Sequence, residues 1–308
     1  MIVDSTALTE QAVRDVVASS FQSAGQRCSA LRCLYLQEDT APHVIEMIKG
    51  AMDELVIGDP WLLPTDVGPV IDADACDEIA AYIANNANAV LHQVDVPGGG
   101  FFVPPTMLRV DGIADLEREI FGPVLHVATF KARELDRVVE AINSRGFGLT
   151  FGLHTRIDSR VQQIAEAIRV GNIYVNRNQI GAVVGSQPFG GEGLSGTGPK
   201  AGGPLYLPRF FAPDPAPAGA DAAPGSGAGD AKPEAALSNA AAERRLEDRL
   251  MPGPTGELNR LAYYSRPPAL CLGPGMETAL EQVAAVEALG GSAVAVEGDL
   301  APERLVDL

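Results

Sequence analysis

The sequence predicts an α/β protein built on a mainly parallel β-sheet, with a smaller βαβ unit near its end. Over residues 1–211, segments with apolar side chains at helical spacing alternate with short runs of apolar and β-branched residues. That alternation is typical of a parallel sheet covered by helices. Hydrophobic residues make up 46% of the 308 residues, which is enough for one large core or two smaller ones.

The two periodicities assign the elements of this part of the chain. A period near 3.6 residues predicts a helix, and a short apolar run between polar turns predicts a buried strand. Pro208 favours an edge position for the last predicted strand, because proline donates no hydrogen bond to a neighbouring strand. The predicted helices are 8–22, 41–56, 73–84, 132–143 and 159–169, and the predicted strands are 31–36, 89–94, 124–130, 149–153, 172–176 and 205–211.

The composition changes sharply after residue 211. Residues 212–245 are rich in alanine, proline and glycine, and Leu237 is their one large apolar side chain. Such a segment buries too little apolar surface to offset the entropy of ordering it, so we predict a linker there. It separates a body, residues 1–211, from a tail, residues 246–308, in which two short strands flank a helix and form one βαβ unit.

Net charge and cysteine content exclude several classes of protein. The chain has 23 Lys and Arg against 40 Asp and Glu, a net charge of −17, which disfavours binding to nucleic acid. It has no apolar run of the roughly 20 residues that a membrane span needs and no signal-peptide pattern at its start. The four cysteines are scattered, so neither a disulfide framework nor a metal site is expected. We expect a soluble, acidic, cytoplasmic protein.

Cys28 is the candidate nucleophile among the four cysteines. It follows Gly25, which permits an irregular backbone, and Arg27, an adjacent cation that would favour the thiolate. Cys33 falls inside a predicted strand and Cys76 inside a predicted helix, so we expect both to be buried and unreactive. A single cysteine is more often a core residue than a nucleophile, so both interpretations of Cys28 stay open on this evidence alone.

Four motifs in a fixed order extend the argument. The sequence FQSAGQRCSALR (21–32) is followed by EREIFGPV (117–124), PFGG (188–191) and LSGTGPKAGGP (194–204). This series resembles the aldehyde dehydrogenase superfamily, and within it the L-glutamate γ-semialdehyde (pyrroline-5-carboxylate) dehydrogenase part of the bifunctional proline utilization A proteins. The resemblance covers residues 1–211 and implies the C-terminal half of an aldehyde dehydrogenase catalytic domain. The tail more loosely resembles an extra C-terminal domain of the long members.

The resemblance implies a reaction and roles for matched residues. Cys28 would attack the aldehyde carbon, hydride would pass to NAD⁺, and the resulting thioester would be hydrolysed to glutamate. The Cys28 backbone N–H would donate to the oxyanion. Glu119 would accept hydrogen bonds from the nicotinamide ribose, and Phe121 is the aromatic residue beside it.

The resemblance also implies a substrate pocket. Glutamate semialdehyde carries its carboxylate several ångströms from its reacting carbon. Gly181 and Ala182 match the family's aldehyde-anchor loop, whose backbone N–H groups would bind that carboxylate. Ser29 would add a hydroxyl donor, and Phe189 would pack against the methylene chain.

Parts of the family's site have no counterpart in these residues. Only 27 residues precede Cys28, whereas the family places its NAD-binding domain, general-base glutamate and oxyanion-hole amide upstream. We therefore expect an internal or truncated piece of a longer polypeptide, inactive by itself. FAD would belong only to a proline dehydrogenase portion that is missing here, and the parent is expected to be a homo-oligomer. The choice between NAD and NADP stays open, as does a separate chain supplying the missing half.

Two other functions are weighed against this one. The chain could be a non-catalytic scaffold or dimerisation fragment of the same fold, with the predicted edge strand 205–211 exchanged between subunits. A cysteine hydrolase would need a histidine partner. None of the four histidines (His43, His92, His126 and His154) lies in a recognisable companion motif, and we expect them to be structural. The turn Gly273-Pro274-Gly275 is likewise taken as structural, because it lacks the third glycine of a nucleotide-binding loop and Pro274 has no N–H.

Overall fold

The computed structural model describes residues 1–211, 245–265, 268–288 and 291–296. The chain divides into two compact units: the first contains Met1–Val184 and Pro188–Tyr206, and the second contains Gly185–Gln187 and Leu207–Leu308. Except for Arg245, the predicted linker lies outside the described residues.

One seven-stranded sheet forms the framework of the described part of the first unit. The strands of this unit are β1 (Ile2–Val3), β2 (Cys33–Gln37), β3 (Val90–Gln93), β4 (Thr106–Arg109), β5 (Val124–Phe130), β6 (Phe147–Gly148), β7 (Thr150–His154), β8 (Asn172–Val175) and β9 (Glu192–Gly193). The sheet order is β3-β4-β5-β2-β1-β7-β8, and β6 pairs separately with β9. Within the large sheet β3 is antiparallel to β4 and all other neighbours are parallel. The predicted mainly parallel α/β fold is confirmed.

Helices cover both faces of this sheet. In β2 the side chains alternate between the two faces: Leu34 and Leu36 belong to one core cluster, and Cys33 and Tyr35 to the other. The first cluster includes apolar residues of the first three helices, and the second includes those of the next two. These helices are α1 (Thr9–Phe21), α2 (Ala41–Asp53), α3 (Ala73–Asn85), α4 (Leu135–Asn143) and α5 (Asp158–Ala167).

The helices predicted for the first unit are confirmed, and so are its predicted strands except one; four observed strands, β1, β4, β6 and β9, were not predicted. Strand β1 has only two residues, too few for a periodic signal, yet it lies at the centre of the sheet between β2 and β7. Strand β4 was also not predicted, because two prolines immediately precede it.

The predicted strand 205–211 is wrong. The chain makes a 3₁₀ turn at Leu207–Phe210, and its apolar side chains are exposed, Leu207 by 64% and Phe210 by 72%. Pro208 suits a turn, and an apolar run forms a strand only where a partner strand accepts its hydrogen bonds.

The second unit contains the predicted βαβ and a hairpin that was not predicted. Its described elements are β10 (Arg245–Met251), β11 (Asn259–Tyr264), β12 (Ala269–Cys271), a helix called α6 here (Gly275–Ala288) and β13 (Ala293–Ala295). Strands β12 and β13 pair in parallel across α6, so the βαβ unit is confirmed. Strands β10 and β11 form the antiparallel hairpin.

The described residues contain neither a membrane-spanning helix nor a metal-binding cluster. No helix among them has an apolar stretch that could cross a lipid bilayer. No group of three or more His, Cys, Asp and Glu side chains in the same residues is placed to hold a metal ion.

A buried pair of titratable side chains joins α1 to the end of β7. His154 Nε2 lies 3.8 Å from Asp15 Oδ2, and both side chains are almost fully buried. Neither atom has a hydrogen-bond partner in the structure. Burial lowers the pKa of His154 to about 4 and raises the pKa of the Asp15 carboxyl. The imidazole is therefore neutral at pH 7.

This pair predicts a loss of stability in mild acid. The unfolded chain protonates His154 near pH 6.5, but the folded chain does so only near pH 4. The stabilisation is therefore complete above pH 6.5 and is lost as the pH falls toward 4. Asp15 opposes the effect, because its raised pKa favours the folded state as the pH falls. We expect a net fall of roughly 1–3 kcal/mol in the free energy of unfolding between pH 7 and 4.5 that depends on His154.

The measurement is urea unfolding at both pH values for the parent chain and for His154→Gln. The variant should show a flatter pH dependence. Parallel pH profiles for the two proteins would contradict the assignment to this histidine.

Candidate active site

The segment that carries Cys28 has an unusual backbone. Between α1 and β2, the residues Ser23, Ala24 and Gly25 have φ values of +55°, +52° and +65°. Such left-handed conformations cost non-glycine residues about 1 kcal/mol or more each, and they persist where the surroundings enforce them. A Cβ at Gly25 would lie 2.1 Å from the carbonyl oxygen of Gly122. Position 25 therefore requires glycine both for its conformation and for the close approach of a second segment.

Cys28 is the exposed cysteine of the four, all of which are described. Cys33 is buried as predicted, and burial raises the pKa of its thiol to about 12. Cys76 is half-buried rather than buried, with its Sγ 3.7 Å from the carbonyl oxygen of Phe102. Within the described residues, no acceptor binds the backbone N–H of Cys28. The sulfur and this N–H group are both available to an incoming carbonyl.

Arg32 joins the segment around Cys28 to the segment before β5. One guanidinium nitrogen, Nη1, donates to the carbonyl oxygens of Gly25 at 2.7 Å and Gly122 at 3.3 Å. The other, Nη2, donates to the carbonyl oxygen of Arg27 at 3.2 Å. These oxygens belong to irregular backbone with no strand partner, so the guanidinium supplies donors that a β-ladder would otherwise provide.

The same guanidinium orients the two predicted cofactor-binding side chains. Its Nε lies 3.4 Å from Glu119 Oε1, and its Cζ lies 4.7 Å from the centre of the Phe121 ring. The Glu119 side chain remains 47% exposed and Phe121 45% exposed. An exposed carboxylate beside an exposed aromatic ring suits hydrogen bonding to the hydroxyl groups of a ribose.

The charge on Arg32 is largely buried, and it lies close to Cys28. Burial lowers the pKa of Arg32, whereas the negative charges of Glu119 and of a Cys28 thiolate act to raise it. The buried positive charge therefore lies between the carboxylate of Glu119 and the segment that carries Cys28.

The predicted anchor loop starts beside the nucleophile. Gln179 Nε2 donates to the carbonyl oxygen of Ser29 at 3.2 Å, and the Gln179 backbone N–H donates to Ser19 Oγ at 3.1 Å. Two residues later, Gly181 is exposed and has a φ of +71°. Within the described residues, no acceptor binds the backbone N–H of Gly181 or Ala182. Two N–H groups without an acceptor among the described residues thus follow closely on Gln179, which itself contacts the nucleophile segment.

The last two predicted substrate residues have different surroundings. Ser29 is buried, directly after Cys28. Phe189 is half-buried and pairs with Ala201 through two backbone hydrogen bonds, at 3.0 and 2.8 Å. Among the described residues the backbone hydrogen bonds of Phe189 go to the glycine-rich segment and none goes to the nucleophile segment.

The segments that carry Cys28 and Glu119 lie near the amino-terminal ends of parallel strands. Cys28 precedes β2, and Glu119 precedes β5, its neighbour in the sheet. The Ser29 carbonyl accepts a hydrogen bond from Thr150 at the start of β7, at 3.5 Å. Ligands of open α/β sheets more often bind at the carboxyl ends of the strands. Here Cys28 and Glu119 lie at the opposite edge of the sheet, where the strands begin.

Sequence reasoning missed Arg32 and Gln179. Arg32 is the last residue of the nucleophile motif and stands directly before the buried strand β2. A cation at that position could have indicated a buried charge beside the site. Gln179 left no local signal, because its partner Ser29 lies 150 residues away in the chain.

The chain is similar to several known proteins over its first unit. Residues 1–212 match the model of the aldehyde dehydrogenase family. The chain is 48% identical to bifunctional protein PutA of Klebsiella aerogenes over 325 aligned positions, which cover 94% of this chain and 25% of that protein. A crystal structure of bifunctional proline utilization A matches with a TM-score of 0.66 and 52% identity, over 68% of this chain and 22% of the other.

A shorter enzyme also matches. A 1-pyrroline-5-carboxylate dehydrogenase from Thermus with bound NAD matches with a TM-score of 0.61 and 34% identity, over 66% of this chain and 40% of the other. The chain spans about a quarter of the length of the PutA relatives that it matches. On the match to residues 1–212, which are two thirds of its length, the chain belongs to the aldehyde dehydrogenase family.

Proposed function

We propose that this chain contributes the nucleophile, and parts of the cofactor and substrate sites, of an NAD-dependent dehydrogenase that oxidises L-glutamate γ-semialdehyde to L-glutamate. The observation that carries the proposal is the exposed Cys28, held on a left-handed loop that Arg32 connects to Glu119 and Phe121. This cysteine and the two cofactor-binding residues belong to segments far apart in sequence, and one guanidinium brings them together.

The names of the relatives support the substrate and the cofactor. They include bifunctional PutA proteins and 1-pyrroline-5-carboxylate dehydrogenases, one of which has a structure with bound NAD. Glutamate semialdehyde is the open-chain aldehyde form of pyrroline-5-carboxylate. The name 1-pyrroline-5-carboxylate dehydrogenase therefore refers to the substrate proposed here.

Cys28 begins the reaction. Its thiolate attacks the aldehyde carbon and forms the C–S bond, while the carbonyl electron pair moves to oxygen and gives a thiohemiacetal anion. The Cys28 backbone N–H donates to that oxygen, a type of interaction often worth a few kcal/mol of the barrier. Collapse of the anion expels hydride and leaves a thioester on Cys28. Water then attacks the thioester carbon and the C–S bond breaks, which gives glutamate and the Cys28 thiolate and releases the two protons of the water to a base and to solvent.

The hydride acceptor would be supplied by bound NAD⁺, which Glu119 and Phe121 would hold. Glu119 and Phe121 fit this role, because the carboxylate and the ring are exposed side by side and Arg32 fixes the orientation of both. A fixed carboxylate holds a ribose without paying the entropy of ordering its own side chain.

The substrate's amino-acid end is bound away from the sulfur. The N–H groups of Gly181 and Ala182 donate to its carboxylate, Ser29 adds a hydroxyl, and Phe189 covers the methylene chain. Small side chains at 181 and 182 let the backbone approach the carboxylate closely.

We also propose that the 308 residues alone reduce NAD⁺ at a negligible rate with this aldehyde. The general base and the oxyanion amide of the family are not among the motifs present, and each such group contributes about 100-fold or more. Purified chain should therefore show no activity above background. The matched experiment places the same residues in Klebsiella aerogenes PutA, in place of the aligned segment, and measures NADH formation.

We expect the chimera to be active and Cys28→Ala to lower its kcat by about 1,000-fold or more. Cys76→Ala, a change at a half-buried cysteine, is the control and should stay near the parent rate. An active Cys28→Ala chimera, or family-like rates from the isolated chain, would contradict the respective proposal.

A second prediction concerns thiol reactivity and needs only the isolated chain. Iodoacetamide at pH 7 should alkylate Cys28 first, because it is exposed, whereas Cys33 is buried and has a pKa near 12. Mass spectrometry of tryptic peptides identifies the modified residue, with Cys28→Ser as the control. Equal inertness of Cys28, Cys33 and Cys76 would favour the scaffold interpretation, which has lost its support from the predicted strand at 205–211.

A third prediction isolates the contribution of Arg32. Arg32→Met removes the donors to Gly25 and Arg27 and the cation beside Cys28. We expect the backbone amides of residues 25–28 to exchange with solvent roughly 10-fold faster in this variant, as followed by mass spectrometry, because the loop loses the donors that hold it. Arg27→Met is the matched control, because the Arg27 guanidinium is exposed and contacts Ser23 Oγ. Equal effects of the two substitutions would refute a specific role for Arg32.

A further inference from the structure

A half-buried lysine outside the site described so far binds three backbone and side-chain oxygens. Lys200 Nζ donates to the carbonyl oxygen of Gly171, to that of Gly190 at 3.1 Å and to Asn172 Oδ1 at 3.1 Å. An ammonium group has three donors, so each one has an acceptor. Burial lowers the pKa of Lys200 to about 8, while Glu192 acts to raise it, so the group is charged at pH 7.

Asn172 completes the same network from the start of β8. Its side chain is buried, its Nδ2 donates to the carbonyl oxygen of Pro188 at 2.9 Å, and its Oδ1 accepts from the N–H of Gly190 at 3.1 Å. A Cβ at Gly171 would lie 1.8 Å from the carbonyl oxygen of Gly190, so the two segments are in direct backbone contact.

Phe189 lies at the centre of this network. Its own N–H and carbonyl pair with Ala201, one residue after Lys200. The backbone is therefore bound before, at and after Phe189. Its partners are Asn172 of β8 and the adjacent residues Lys200 and Ala201. The ring itself remains partly exposed. Fixing the backbone this tightly sets where the aromatic ring projects.

We propose that Asn172 and Lys200 are positioning residues: they fix the backbone on both sides of Phe189 and so hold the ring where it meets the substrate's methylene chain. The inference rests on the proposed function, since the substrate contact of Phe189 comes from there. A general stabilising role for the network would leave substrate selectivity unchanged, whereas a positioning role acts on the one substrate that Phe189 contacts.

Hydrogen exchange tests the positioning in the 308-residue chain itself. Lys200→Met should increase the exchange rates of the Phe189 and Ala201 amides at pH 7 by about 10-fold or more, because local opening becomes easier. Amides of β2 and β5 should be unaffected. Lys131→Met, a change at an exposed lysine, is the control. If the Phe189 and Ala201 amides exchange no faster in Lys200→Met, the proposal is overturned.

Kinetics of the chimera test the consequence for the substrate. Loss of one apolar contact with a substrate chain commonly costs roughly 10-fold. Lys200→Met should therefore raise KM for glutamate semialdehyde by about that factor with kcat nearly unchanged, which indicates lost binding rather than lost chemistry. KM for propanal, which lacks the amino-acid end, should stay the same. Phe189→Ala should reproduce the change, and the double variant should be no worse than either single one.

The outcomes separate the two proposals. An inactive parent chimera, or an active Cys28→Ala chimera, would overturn the proposed function while hydrogen exchange still decides the positioning. Additive effects of Lys200→Met and Phe189→Ala, or an equal rise in KM for propanal, would overturn the positioning role with the dehydrogenase function intact. If Lys200→Met does not fold, Asn172→Asp serves instead. It preserves shape and the acceptor for Lys200 but loses the donor to Pro188, and the same KM split is expected.

Discussion

The arrangement of the candidate site depends on the buried guanidinium of Arg32. Its donors bind backbone carbonyls of two irregular segments, those of Gly25 and Gly122 among them, and these segments approach so closely that only glycine fits at position 25. A buried cation is costly unless its donors and its charge are matched. Here the carbonyl oxygens, Glu119 and the Phe121 ring provide that match. Because both segments share one cation, neither can shift without the other.

Strand pairing explains why these two segments meet. Strands β2 and β5 are parallel neighbours, with Cys33 opposite His126. The chain therefore enters both strands at the same edge of the sheet, and the residues just before each strand lie side by side. The His126 backbone N–H donates to the carbonyl oxygen of Arg32 at 3.0 Å, which continues the ladder up to the site. A central β-sheet thus aligns two loops that no local interaction would have brought together.

Much of the first unit could be predicted from periodicity, since α4 and β5 each show a clear apolar pattern within a single window of sequence. The failures have a common cause. Strand β1 is two residues long and is held only by its neighbours β2 and β7, whereas the apolar run at 205–211 has strand-like composition but forms a 3₁₀ turn. Strand formation depends on a partner, and a partner distant in sequence leaves no trace in a local window.

The sequence by itself determined the chemistry that is available: which cysteine follows a permissive glycine, which carboxylate and aromatic ring precede a strand, and which motifs mark the family. These are properties of adjacent residues, so they can be recognised one segment at a time. Only the tertiary structure decided that Cys28 is exposed and Cys76 only half-buried, that Arg32 contacts both motifs, and that Lys200 binds the backbone around Phe189. The exposure of a side chain depends on how the sheet aligns its strands. So does a contact between residues 90 positions apart in sequence, such as Arg32 and Gly122. Both are properties of the whole fold.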